Sequence, residues 1–480
     1  MQQPTVVPAR RRPPMSTLLL VAVLASCSIY ANLSFRVTDG TKYRYFPPFR
    51  EYADFNMNDH LGAEYLNVAR SMVAGKGFAN PFTAQTGATA WMPPVFPCLL
   101  AGILWLSGGN EQVLMVAMIV LQVMSLVITG LIVLALVRQS SWRLASTVGL
   151  TMFVITVVSD FFMWFQFTHD MWLVLLALDL LVVGHCWWRP LGRMAVVWGI
   201  VGGLCALINP VVGGAWFIVS TFEARVERRW WNLAAAALTA AIVVLPWTIR
   251  NYAVFGRWIP VKANLAYELY QSQCLTSDGL LVRDTFFMHP YTTWNQERTE
   301  YTKLGEAVYL DQKDIEFRKS VSARPWDFLG RIGNRFTAAT LRYQPFDPIE
   351  EWEIPEWVFL RRIIYPLPFL AVIFLVCSAL WRPLGPARWG MIVLYVAYLT
   401  PYIAISYYDR YAVPLVPIKA LLMFWASERI VALLPSRRRN RQAHLSPASR
   451  FPLGKIAVAV NHEPASLAAC PVAEGVLEQT

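Results

Sequence analysis

Apolar and polar residues alternate along this chain in long blocks. Apolar runs occupy Ser16–Leu33, Gln112–Val137, Leu144–Val158, Met171–Trp187, Met194–Phe222, Asn232–Trp247, Trp357–Trp381, Trp389–Ile405 and Ala412–Leu434. Most of these approach the ~20 residues a helix needs to cross a bilayer. Met194–Phe222 is long enough to go out and return, and Asn209-Pro210 marks its bend. The pattern predicts an all-α polytopic membrane protein with about ten spans. Between the runs sit short basic clusters at 138–143, 189–193, 225–229, 382–388 and 437–441. Placing all of them on the cytoplasmic side puts both termini inside. The same count makes Pro93–Leu106 an interfacial or re-entrant helix, since a full crossing there would invert every later cluster.

Two polar blocks, 34–111 and 248–356, are then external loops. In the first, Leu61, Tyr65, Val68, Ala69 and Met72 recur at helical spacing until Gly75-Lys76-Gly77. In the second, Thr299–Val321 and Trp326–Tyr343 read as amphipathic helices, with Pro325 between them. Residues 1–15 are a cytoplasmic N-terminus, 16–435 the membrane domain, and 436–480 a polar, low-order tail.

Composition agrees with the pattern. Hydrophobic residues make up 56% of the 480 and charged residues 15%, with a mean hydropathy of +0.40. The net charge of +11 lies mostly in the clusters that set topology, and no nucleic-acid-binding motif accompanies it. Seven cysteines fall mostly within apolar runs, without a C-x-x-C pair, so neither a disulfide framework nor a zinc site is expected. The run after Arg10-Arg11-Arg12 lacks a small-residue cleavage site and reads as a retained anchor.

The chemistry-bearing residues gather in the external loops. Glu64 and Asp59 lie on or just before the first loop helix, where a carboxylate can act as general base toward a hydroxyl at the interface. The bland alternative is solvation, or pairing with Arg70. Asp160, His169 and Asp170 sit in the second short loop, where with the first loop they could form a metal or acceptor site, a hard cation favouring the carboxylates; the alternative is that Asp170 caps the following helix. Arg250, Arg257 and Lys262 follow the run ending at Trp247, and Arg410 sits in the tight Tyr407–Tyr411 loop. Clustered cations there suit a lipid phosphate, or they snorkel to headgroups. Asp179 lies mid-span, where hydrogen bonding to a neighbouring helix is the simplest role. His185 reads as an interfacial residue.

Several blocks together resemble a family. E-Y-x-x-V-A-R-S-M-x-x-G-K-G-F at Glu64–Phe78 and T-A-W-M-P-P-V-F-P at Thr89–Pro97 resemble the first external loop of GT-C membrane glycosyltransferases of the protein-mannosyltransferase and aminoarabinose-transferase type. L-P-W-T-I-R-N-Y-x-V-F-G-R-W-I-P-V-K-x-N at Leu245–Asn264, His289-Pro290, L-G-E-x-x-Y at Leu304–Tyr309 and D-R-Y-x-x-P at Asp409–Pro414 fit the same group in the same order. The resemblance covers about residues 15–435. It implies a GT-C-like helical bundle in a bacterial cell membrane. It implies inverting transfer of a sugar from a polyprenyl-phosphate donor to a lipid, glycan or protein acceptor of the cell envelope. An external acid would be the base, and Tyr65, His169, Asp170, Arg250, Lys262, Arg410 and Tyr411 would contact substrate. Many members carry an acid three or four residues before the tyrosine, where this chain has Leu61 and Gly62. Glu64 takes the role here because it lies inside the matching block. Such enzymes can use a divalent cation, but no ligand set in this chain demands one. A transporter or a non-catalytic membrane protein of the same fold are the competing classes; the polar residues sit in external loops rather than mid-membrane, and no internal repeat is evident.

Overall fold

The computed structural model describes residues 63–433 apart from 83–84, 161–169, 293–294 and 347–354, together with residues 17 and 22. The run Ser16–Leu33, the acid Asp59, the ring of His169 and the basic tail lie outside the described residues. The described chain is helical throughout; its β structure is limited to two isolated bridges, Ala79 with Ala88 and Leu280 with Tyr407.

A short helix α1 (Ala63–Val73) precedes α2 (Val95–Leu106), and then come α3 (Glu111–Val137), α4 (Ala145–Ser159) and α5 (Met171–Val183). A single π-turn, Gly184–Trp188, extends α5. Next are α6 (Ala195–Ile208), α7 (Pro210–Glu227) and α8 (Trp230–Phe255). The long polar block folds as α9 (Leu265–Cys274), the single turn α10 (Arg283–Phe286), α11 (Gln296–Leu304), α12 (Glu306–Ala323) and α13 (Pro325–Thr340). The chain closes with α14 (Pro355–Ile364), α15 (Leu367–Ser378), α16 (Pro386–Ala404), a 3₁₀ turn at Asp409–Leu415 and α17 (Val416–Leu433).

Four stretches among the described residues are long and apolar enough to cross a membrane: Val116–Val137, Met171–Trp188, Trp230–Phe255 and Val358–Ser378. The helices α2, α4 and α6 are apolar but shorter. The twelve residues of α2 are too few for a crossing; the helix buries Phe96, Leu100 and Leu104 and packs against α1 and α3. The bend expected at Asn209-Pro210 is real: the Asn209 side chain accepts from the Val211 N–H at 2.9 Å, and Pro210 occupies the first turn of α7. Gly199 and Gly203, four apart on α6, let α8 approach so closely that a Cβ at either would meet its backbone.

The expected run Trp357–Trp381 is broken into α14 and α15 between Ile364 and Leu367, and two further boundaries differ from the pattern's prediction. Helix α8 runs on past Trp247 to Phe255, through Pro246, so Arg250 belongs to the helix rather than to the loop after it. Its continuation is held by Trp247 Nε1 donating to the Val261 carbonyl at 2.7 Å and by Thr248 donating to the Pro260 carbonyl at 3.2 Å. The Thr299–Val321 helix is two helices, because Gly305 adopts φ +74°, a left-handed conformation that interrupts α11 before α12 begins.

Candidate functional site

The site gathers where α1, the N-terminus of α5, the 248–346 block and the 3₁₀ turn converge. Sequence chemistry sets each part in place. Tyr65 packs edge-on against Phe96 of α2 at 5.0 Å between ring centroids, and Phe96 in turn meets Trp172 of α5 at 6.2 Å. This aromatic ladder fixes the first turn of α1, with Glu64 and Tyr65, beside Asp170. Asp170 is buried and makes no side-chain capping bond to α5. It accepts a hydrogen bond from the Tyr65 hydroxyl instead. That settles its local role against the capping alternative. Burial raises the Asp170 carboxyl above its ordinary value, against the pull of Arg410, the backbone, Tyr65 and Lys262.

Glu64 is also buried, and burial raises its carboxyl. Its own backbone N–H and the Arg410 guanidinium favour the anion, while Glu268 and Asp170 disfavour it. Oε1 of Glu64 lies 3.9 Å from Nε2 of His289. Burial drives the His289 imidazolium down to about 3, so the ring is neutral. Its Nδ1 accepts from the Tyr291 backbone N–H at 3.3 Å, which leaves the proton on Nε2, facing Glu64. The rings of Tyr267, Trp91 and Phe82 surround His289 edge-on at 5.1, 5.8 and 5.8 Å.

Arg410 lies on the 3₁₀ turn with its guanidinium 4.9 Å from the Tyr408 ring and 5.8 Å from that of Tyr411. Burial pulls its basicity down, but Tyr408, Tyr411, Asp170 and Tyr65 outweigh this and raise it, so the cation is firmly held. Tyr411 stacks on Tyr402 at 4.3 Å. The turn is anchored from behind by a buried pair, Arg361 with Asp409 at 3.4 Å, with Arg361 also donating to the Tyr343 hydroxyl. Lys262 lies within electrostatic reach of Asp170. Glu268 of α9 accepts from Ser406 at 2.8 Å and from Asn264 at 3.2 Å, which ties α9 to the turn.

Of the residues singled out in the sequence, Glu64, Tyr65, Asp170, Lys262, Arg410 and Tyr411 come together. Arg250 is engaged elsewhere. Its guanidinium donates to the carbonyls of Thr89 and Phe78, each at 2.7 Å, and to Asn251 at 2.9 Å, and it stacks on Trp247 at 5.0 Å. It clamps the 78–90 loop onto α8, and Glu306 clamps the same loop from the other side, accepting from Thr89 Oγ1 at 2.5 Å and the Ala90 N–H at 2.7 Å. Asp160 pairs with Lys419 at 3.0 Å, both buried. Asp179 accepts from Thr129 of α3 at 2.6 Å, the helix-to-helix bond expected of it.

Glu268 and His289 went unassigned as site residues in the sequence. His289 carried a signal, the His-Pro step; Glu268 carried none beyond being an acid on a loop helix.

Chemically the cluster offers two buried acids of raised pKa, two cations and a neutral imidazole N–H donor, bounded by tyrosines. No group of three or more ligating side chains suited to a metal ion occurs among the described residues. Comparisons with protein-family models, with curated proteins and with solved structures give no match for this chain.

Proposed function

We propose that this chain is an integral membrane glycosyltransferase of the GT-C type that moves a sugar from a polyprenyl-phosphate donor to a hydroxyl acceptor. The observation that carries the reading is the opposition, within one buried cluster, of Glu64 to Arg410. Departure of a phosphate from an anomeric carbon needs fixed positive charge at the leaving oxygens. Arg410 supplies a fork that matches phosphate geometry, and Lys262 supplies a second, mobile charge. Attack from the opposite face needs a base of matched strength. A glutamate raised by burial is a better proton acceptor than an ordinary one, and a hydroxyl held at Glu64 can deliver its proton there. The C1–phosphate bond breaks as the new C1–oxygen bond forms, with inversion. The acceptor proton ends on Glu64, and the electron pair leaves with the phosphate against Arg410. His289 Nε2–H and the Tyr65–Asp170 pair position the two partners. The apolar helices packed against the cluster give the prenyl chain a solvent of its own kind, which supports placing the reaction at a membrane.

The test is direct. Purified protein in lipid nanodiscs is incubated with a panel of radiolabelled polyprenyl-phosphate sugars and envelope glycolipid acceptors. Transfer by the parent and its loss in Glu64→Gln support the reading; no transfer from any donor, with donor binding also absent, overturns it.

A further inference from the structure

A cavity lies at the far end of the same helices. It has a volume of about 390 Å³ and opens between the C-terminal ends of α3, α5 and α7, the start of α16 and the end of α17. Helix α3 alone spans ~40 Å at 1.5 Å per residue, with Glu111 beside the first loop and Val137 at the cavity end, so the two sites are separated by the length of the bundle.

The charges around this cavity are mostly matched within the protein. Arg388 pairs with Glu428 at 2.6 Å, and Glu428 also accepts from Ser140. Glu227 pairs with Arg229 at 3.1 Å. Arg189 also lines the cavity and, with Arg229, acts electrostatically on Glu223, which is the carboxylate left without a hydrogen bond. Glu223 lines the wall, is 5% exposed, and neither of its carboxylate oxygens has a hydrogen-bond partner among the described residues. Burial, with Glu227 adding to it, pushes its carboxyl up to about 7; the Leu191 backbone and the Arg229 and Arg189 cations do not offset this. Beside it, His185 donates from Nε2 to the Pro386 carbonyl at 3.1 Å, and its Nδ1 is left without a donor. The His185 ring is wedged against the backbone of Gly390, where any Cβ would collide with it, so its orientation is fixed. Phe222 and Trp425 complete the wall with aromatic surface.

These groups are acceptors awaiting donors. An unpaired buried carboxylate and an unpaired imidazole nitrogen each lose the full value of a missing hydrogen bond. An anion would add like charge beside Glu223. A metal ion is not matched, because no three ligating side chains converge among the described residues. A protonated amine fits all three features at once: its N–H groups satisfy the acceptors, its charge neutralises Glu223, and its cation lies against aromatic faces. We propose that this cavity is a binding site for a small organic amine, held as its cation by Glu223 and His185. The volume is that of an ordinary small-ligand pocket.

The experiment uses the full chain in detergent micelles and fluorine NMR line broadening with 4-fluorobenzylamine, with neutral 4-fluorobenzyl alcohol as its match. The amine is expected to bind the parent at least tenfold more tightly than the alcohol. Glu223→Gln should bring amine and alcohol together while leaving thermal unfolding unchanged or raised, since it removes a buried carboxylate that has no hydrogen-bond donor. Val226→Trp, at a half-exposed position on the wall, should block the amine with the carboxylate intact. Equal binding of amine and alcohol by the parent overturns the proposal. So does undiminished amine binding in Val226→Trp, which decides the matter even if Glu223→Gln does not fold.

Discussion

Nε2 of His289 lies 3.9 Å from Oε1 of Glu64, and it does so as a neutral ring. The contact is therefore a donor facing a carboxylate rather than an ion pair, and Glu64 carries the titration of the two.

Glu64→Gln should lower transfer by ~10²–10⁴, the usual effect of losing a general base. Its effect on stability runs the other way. The folded-state pKa of Glu64 is raised above 4.5, so its contribution to stability is fully present below the unfolded value and is lost as pH rises through the folded one. At neutral pH the glutamine should leave thermal unfolding unchanged or shift it upward. In the parent, kcat/KM should fall as pH drops through the raised value, and this acid limb should lie above 4.5. A variant that is both inactive and strongly destabilised would argue for a structural carboxylate.

Arg410→Ala should abolish donor use, and Arg410→Lys should recover part of it, because a point charge lacks the bidentate fork. The guanidinium also holds the Glu64 anion, so in Arg410→Lys, where residual turnover allows a pH profile, the acid limb should move little. Steady-state kinetics against donor concentration separate the two effects. Parent-like turnover in both variants would reduce Arg410 to a packing residue.

Arg250→Lys tests a different role. The guanidinium satisfies two backbone carbonyls of the 78–90 loop at 2.7 Å, and hydrogen bonds from charged donors contribute about 1.5–3 kcal/mol each. The lysine should lower the unfolding temperature measurably, while the protein that remains folded retains kcat. A loss of kcat at unchanged stability would return Arg250 to the proposed phosphate site.

The ten spans and inside termini expected from the sequence make their own prediction. Reporter fusions after Arg143 and Arg193 should report the cytoplasm, and fusions near Asn295 the outside. An external signal after Arg143 would make α2 a full crossing.

Much of this was legible because apolar runs of bilayer length have few solutions. The runs at 112–137, 144–158 and 171–187 became helices near their expected bounds. Glu64, Tyr65 and Arg410 also stood out, being polar residues at the edges of apolar blocks. What stayed hidden were partnerships between distant segments. Arg250 looked like a surface cation because its carbonyl partners, Thr89 and Phe78, lie 161 and 172 residues away. Asp170 looked like a cap because every aspartate before a helix does. Its actual partner, Tyr65, is brought to it by the Phe96–Trp172 ladder, which no local pattern encodes. The break at Gly305 was hidden for the opposite reason, since the amphipathic period runs through it undisturbed.

The electrostatic tie between Arg410 and Glu64 has a thermodynamic consequence. Arg410 lowers the proton affinity of Glu64, so an anion that engages the guanidinium withdraws part of that influence. Anion binding at one residue and proton binding at the other are therefore positively linked, each strengthening the other by the same factor. An anion held against Arg410 makes Glu64 a stronger proton acceptor than it is beside the guanidinium alone. The two ends of the cluster are thus coupled, and a proton is accepted most readily when an anion occupies the guanidinium.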